Sequence, residues 1–134
     1  MPAPTRILVP TDFSEHSDRA LEQALDIAEQ YGAKIYLVHV ITVIRSDFED
    51  MLRKEAQEKL QDQLRKFPLA EQLGVSVCIR NGVTYEEILK EGKDKGIDLI
   101  VIASLGQSGV AKYFTGGVAR NVLKGSKCPV LLTK

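Results

Sequence analysis

From end to end this chain alternates between two kinds of apolar pattern, and that alternation leaves few folds open. Ile7 to Val9 is a short apolar run. Ala20, Leu21, Ala24, Leu25 and Ala28 then recur at the spacing of one helix face, with Gly32 as a stop. Lys34 to Val40 is a second run, rich in Ile, Val and Leu. Phe48, Leu52, Ala56, Leu60 and Leu64 step by four, and Pro68 ends that helix. Val75, Val77 and Ile79 alternate with Ser76, Cys78 and Arg80, as in a half-exposed edge strand. Thr84 and Glu87 stand at capping-box spacing ahead of Ile88 and Leu89, and Gly96 closes the third helix. Ile97 to Ala103 is nearly all apolar, which suits a central strand. A glycine-rich stretch comes next. Val118, Val122 and Leu123 then mark a fourth helix ending at Gly125, and Pro129 to Thr133 reads as a fifth strand.

Strands joined by helical crossovers pair in parallel, with helices on both faces. The expected fold is therefore α/β: a single-domain, three-layer, doubly wound parallel five-stranded sheet spanning residues 1–134. No internal repeat, low-complexity tract or linker interrupts the pattern. Right-handed crossovers leave few strand orders. An edge-like third strand and the two most apolar strands, one and four, fit the order 3-2-1-4-5. That order sets strand one beside strand four. Their carboxyl ends form the switch point where such sheets bind ligands.

Composition excludes several classes. The 134 residues hold 18 basic and 18 acidic side chains, so no charge excess exists to hold nucleic acid or an anionic membrane. No apolar run approaches the roughly 20 residues needed to span a bilayer. Met1 to Thr5 lacks the pattern of a secretory signal, and a cytoplasmic location is expected. Cys78 and Cys128 stand far apart without a CxxC, and read as reduced thiols. With only His16 and His39 in addition, a metal site is not expected. Glu49–Arg53, Asp50–Lys54, Glu55–Lys59 and Asp62–Lys66 lace the outer face of the second helix at i, i+4, the mark of a solvated cover.

Chemistry concentrates at the expected switch point. Asp12 comes just after strand one, where a carboxylate can accept from sugar hydroxyls. With Glu15 it also forms a helix-capping pattern, and Ser14 is a competing cap. The stretch Ser104 to Gly117 carries Gly106, Gly109, Gly116 and Gly117. Glycines let a backbone approach a phosphate with several amides, and Gly116-Gly117 precedes a helix whose first N–H groups favour an anion. The bland alternative is a surface loop. Neither a Walker A motif nor a GxGxxG after strand one occurs. His39 reads as a packed, hydrogen-bonded strand histidine, His16 as an exposed one, and Tyr85 and Tyr113 as rim residues.

Ile7-Leu8-Val9-Pro10-Thr11-Asp12-Phe13-Ser14, Val38-His39-Val40, Asp98-Leu99-Ile100-Val101-Ile102 and Cys128-Pro129-Val130-Leu131-Leu132 together resemble the universal stress protein family. The likeness runs over essentially the whole chain. It implies a Rossmann-like fold of the adenine nucleotide alpha hydrolase-like type. Nucleotide-binding members carry G-x2-G-x9-G-[ST] after strand four. Here the matching positions are Ala103, Gly106, Gly116 and Gly117, so the first and last depart from the pattern. By resemblance, Asp12 would hold the ribose. Pro10, Thr11 and the backbone of Val40 would line the adenine, and Gly106, Gly109, Gly116 and Gly117 would surround the phosphates.

The resulting expectation is a cytosolic stress-response homodimer that binds ATP or a related adenine nucleotide weakly, with Mg2+, as a sensor and not an enzyme. No base or arginine is placed by motif to drive hydrolysis. The family suggests homodimers, and strand five, Pro129 to Thr133, is an edge able to pair with its copy. Ala103 and Gly117 motivate an alternative, a nucleotide-free interaction module of the same family. A phosphoacceptor receiver domain is a remote third reading, because Arg80-Asn81-Gly82 offers no aspartate after strand three.

Overall fold

The computed structural model describes residues 2–42, 46–104 and 117–134. Its elements run β1 (Arg6–Pro10), α1 (Glu15–Tyr31), β2 (Lys34–Ile41), α2 (Ser46–Arg65), α3 (Pro68–Leu73), β3 (Val75–Asn81), α4 (Thr84–Asp94), β4 (Leu99–Ala103), α5 (Val118–Gly125) and β5 (Val130–Thr133). The described strands form one parallel sheet in the order β3-β2-β1-β4-β5. β1 and β4 are neighbours, in the order that the apolar pattern fits.

Successive residues of a strand face opposite sides of a sheet, and β1 divides its side chains accordingly. Ile7 and Val9 pack under α1 with Leu21, Ala24 and Leu25, joined by Leu60 of α2 and Ala70 of α3. Leu8 points the other way, into a second cluster with Ile88 of α4, Ile100 and Ile102 of β4, and Ala119 and Val122 of α5. Two apolar layers sandwich the sheet between helices. Burying one such aliphatic side chain contributes about 1.5–3 kcal/mol, so both faces hold the sheet against its covers. Gly32 ends α1 in the left-handed conformation at φ 72°, with its N–H donated to the Ala28 carbonyl. That is the stop read from its position.

The structure departs from the expected elements in four places. Pro68 does not only terminate a helix: it opens α3, in the first turn, where its missing N–H costs nothing. The capping box at Thr84 does not form. Val83 occupies the N-cap without a side-chain bond, and Glu87 is drawn instead to Arg80 of β3 at 2.9 Å. A charge-assisted partner on a neighbouring strand outcompetes one exposed cap. In α5, Ala119 and Val122 are buried, whereas Val118 and Leu123 are exposed. Lys66 does not pair with Asp62. Arg65 takes Asp62 at 2.7 Å, and Lys66 reaches Asp18 of α1 at 2.9 Å. Lys66 thereby fastens α2 to α1.

Asp98 fixes the start of the sheet. Its carboxylate accepts from the Thr5 hydroxyl at 2.6 Å and from the N–H groups of Thr5 and Arg6 at 3.0 Å. The Asp98 N–H returns a bond to the Arg6 carbonyl. The chain entering β4 is thus tied to the chain entering β1. Cys78 and Cys128 are free thiols. No described helix is long and apolar enough to cross a membrane.

Candidate functional site

At their carboxyl ends β1 and β4 lose contact. β1 pairs with β2 over five residues, Arg6 to Pro10, but with β4 only through Ile7–Leu99 and Leu8–Ile100. Pro10 has no amide hydrogen to extend a ladder. Pairing therefore stops short of the carboxyl ends of these strands, at the switch point where sheets of this order form a ligand crevice.

The turn after β1 is held from below. The Thr11 hydroxyl lies 2.9 Å from both Ser17 Oγ and Gln63 Oε1, its one proton serving one of them at a time, and it accepts from the Phe13 N–H at 3.0 Å. Thr11 N–H donates to the Val38 carbonyl at 2.9 Å. The Thr11 carbonyl accepts from His39 at 2.8 Å; since a carbonyl only accepts, Nδ1 carries the proton. Every polar group of Thr11 is thus committed to the scaffold. Phe13 comes next but one, at φ 68°, an uncommon conformation for a large side chain. The hydrogen bonds of Thr11, Asp12 and Ser14 hold it there.

Ser14, not Asp12, caps α1. Its Oγ accepts the Ser17 N–H at 3.2 Å. Asp12 makes the turn one step earlier, accepting the Ser14 N–H on Oδ1 at 3.0 Å. The spacing of Asp12 and Glu15 favoured the wrong cap because the turn at Phe13 sets the helix start one residue pair later. The consequence is functional. Asp12 is half-buried at the crevice, and its Oδ2 has no partner among the described residues.

Val40 lies past the end of β1. Val38 turns its carbonyl to Thr11, and Ile41 turns its carbonyl to Gly82 after β3. Strand alternation then directs the N–H and C=O of Val40 to the β1 side, two residues beyond the last β1 pair, Pro10–Val38. These groups face the crevice rather than a strand.

Beside Val40 is a cavity of about 240 Å³ between β2 and α2, walled by Phe13, His39, Leu52, Ala56 and Lys59 among others. The Phe13 and His39 rings stack at 4.3 Å and 34°. Lys59 Nζ stands 5.7 Å over the Phe13 ring and 3.1 Å from Glu55. Burial pushes the His39 pKa down. Its bond to Thr11 and the charge of Asp12 oppose that, and Lys59 reinforces it. Neutral His39 therefore donates through Nδ1 and offers Nε2 as an acceptor. Pro10, Thr11 and Asp12 do not wall this cavity; of the expected site residues only Val40 does.

Across the crevice, Ala103 ends β4 opposite Thr133, its methyl packed against the cluster beneath α1. Gly117 is the N-cap of α5 and, having no side chain, supplies no side-chain cap bond. Gly106, Gly109 and Gly116 lie outside the described residues.

The family model for the universal stress protein family matches residues 4–134. The chain belongs to that family. Universal stress protein MJ0531 of Methanocaldococcus jannaschii is 33% identical over 141 residues, covering 96% of this chain and 81% of that relative. The structure of hypothetical protein MJ0577 superimposes with a TM-score of 0.85 at 29% identity, covering 99% of this chain and 97% of that one. A universal stress protein crystallised in complex with cAMP superimposes at 0.69 with 25% identity, covering 99% and 98%.

Within this universal stress protein, the sequence pattern located the crevice but not the ring-lined cavity beside it. Leu52 and Ala56 read only as the apolar stripe of a cover helix, and Phe13 as a residue between Asp12 and Ser14. The one signal for it was that stripe's length. It runs on toward the amino end of α2, where the helix reaches the carboxyl ends of β2 and β3.

Proposed function

We propose that this protein binds an adenine nucleotide in the crevice between β1 and β4, as a sensor and not as a catalyst. The observation that carries the reading is that Asp12 Oδ2 and the peptide groups of Val40, both without partners among the described residues, lie at the carboxyl ends of β1 and β2, with the start of α5 at Gly117 following β4. The purine would meet the Val40 peptide, with Pro10 as apolar floor and His39 Nε2 free to accept from an exocyclic amine. The cavity of about 240 Å³ is smaller than the roughly 300–1,000 Å³ of whole-ligand pockets, which suits a ring rather than an entire nucleotide. Asp12 would accept from a ribose hydroxyl. The phosphates would approach the α5 amides and the glycines Gly106, Gly109 and Gly116, with magnesium arriving on the phosphates. The related protein solved with cAMP supports an adenine ligand. Thr11 acts as scaffold, since its polar groups are occupied.

A cytoplasmic homodimer completes the proposal. β5 is the outer strand of the sheet, and Leu131 and Leu132 on it are each 37% exposed. Such an edge pairs readily with its own copy. Light scattering on the purified chain should give twice the monomer mass.

Calorimetric titration with ATP and magnesium tests the binding. We expect heat fitting one site per chain, and Asp12→Ala should weaken it about tenfold or more, the loss of one charge-assisted hydrogen bond. No heat at millimolar ATP sinks the proposal. The second reading, a nucleotide-free interaction module, is favoured by Ala103 and by the missing hydroxyl at Gly117. Chromatography of the denatured, freshly purified protein separates the two, because co-purifying nucleotide excludes the second.

A further inference from the structure

A second and larger cavity lies at the opposite end of the sheet, where β4 and β5 begin. It holds about 540 Å³ between the carboxyl ends of α4 and α5. Its floor is apolar: Leu89 of α4, Ile97 before β4, and Ile100 within β4. Its rim carries three ammonium groups, Lys90, Lys93 and Lys127. Lys90 is paired with Glu87 at 3.2 Å. Lys93 and Lys127 have no partner among the described residues.

We propose that this cavity binds a small amphipathic anion, an aliphatic carboxylate of medium chain length. The volume is within the usual roughly 300–1,000 Å³ of ligand pockets. An apolar floor under unpaired cations selects a tail and a negative head together. The surrounding groups do not oppose an anion. The nearby acids Glu87, Glu91 and Asp94 are all engaged by Arg80 on the β3 side of α4. The carboxyl end of α4, which would repel a negative head, has three of its last four carbonyls occupied. Glu91, Gly92 and Lys93 accept from Lys95, Ile97 and Gly96, and Val122 accepts from Ser126. Ser126 Oγ and Cys128 Sγ, 3.5 Å apart, close the rim. The site is separate from the crevice, so occupancy here does not depend on nucleotide.

Methyl-labelled NMR titration of the full chain with decanoate, below its micelle concentration, tests this. We expect saturable shifts at the Leu89, Ile97 and Ile100 methyls. Decanol, which keeps the tail, and acetate, which keeps the head, should each bind at least tenfold more weakly. The double substitution Lys93→Gln and Lys127→Gln, both at exposed positions, should weaken decanoate by about tenfold, and added salt should do the same. Decanoate should also slow alkylation of Cys128 relative to Cys78. Absence of shifts at those methyls overturns the proposal. So does decanoate binding that decanol matches and that the double substitution leaves unchanged.

Discussion

The Nδ1 of His39 lies 2.8 Å from the carbonyl oxygen of Thr11, and this bond joins the end of β2 to the turn that presents Asp12. Burial holds the His39 pKa below its ordinary 6.5, with Asp12 pulling upward and Lys59 downward. Between the folded value and 6.5 the unfolded chain binds more protons than the folded one, so stability rises with pH there. The contribution is complete above about pH 6.5 and is lost as pH falls through the folded value. Urea unfolding at pH 7.5 and 5.5 should show that loss in the wild type. His39→Asn, which retains a donor for Thr11 but does not titrate, should show less of it. Equal losses in both proteins would exclude His39 as the source.

Gln63 ties α2 to the same turn. It is 2% exposed, accepts from Thr11 on Oε1, and donates from Nε2 to Asp18 at 2.8 Å. Gln63→Leu leaves Thr11 and Asp18 short of partners, at a cost of about 1–3 kcal/mol. The expected fall in Tm is roughly 5–10 °C for a chain of this size. The turn should loosen with it, so the Phe13 amide should exchange with solvent faster than amides in the middle of β1. Uniform faster exchange would mean a purely global effect.

Arg80 is gripped by three acids of α4: Glu87 at 2.9 Å, Glu91 at 2.7 Å and Asp94 at 3.4 Å. Hydrogen bonding to Glu87 leads in pushing its pKa further up, against burial. Glu91 is 1% exposed, and its other cation is Lys95, at 3.5 Å. Arg80→Met should therefore cost about 3 kcal/mol, the penalty of a buried carboxylate without its main partner. Arg80→Met with Glu91→Leu should recover most of that, measured by urea unfolding. If the pair is no more stable than Arg80→Met alone, the cost lies elsewhere than in the stranded charge.

Strand order was legible because each strand's apolar density reports its depth: Leu99 to Ile102 central, Val75 to Arg80 at the edge. Local signals fared worse wherever a tertiary partner competed. Glu87 looked like half of a capping box until Arg80 of β3 arrived beside it. Asp12 looked like a cap until Phe13 took φ 68° and passed the role to Ser14. Gln63 sat on the charged helix as one more polar residue, since nothing in its neighbours tells that α2 turns this side chain toward Thr11, 52 positions away. Spacing reports periodicity within an element; it carries no record of which side chain another element will claim.

Asp98 should govern how firmly β1 is seated beside β4. Burial pushes its carboxyl pKa up, but bonds from the Thr5 hydroxyl and the N–H groups of Arg6 and Thr5 outweigh that and hold it below 3.8. A depressed acid stabilises the fold above its unfolded value and stops doing so as pH falls through the folded one. Asp98→Asn removes the charge that accepts these bonds and should cost about 1–2 kcal/mol at pH 7. As pH falls through the folded value the difference from wild type should shrink, because the wild-type carboxyl is then protonated too. Guanidinium unfolding of both proteins across that range measures it. A gap that stays constant from pH 7 down to the acid limit of folding would mean that shape, not charge, is what Asp98 supplies. The crevice depends on the answer: Thr5 and Arg6 lead into β1, and β1 meets β4 through only two paired residues.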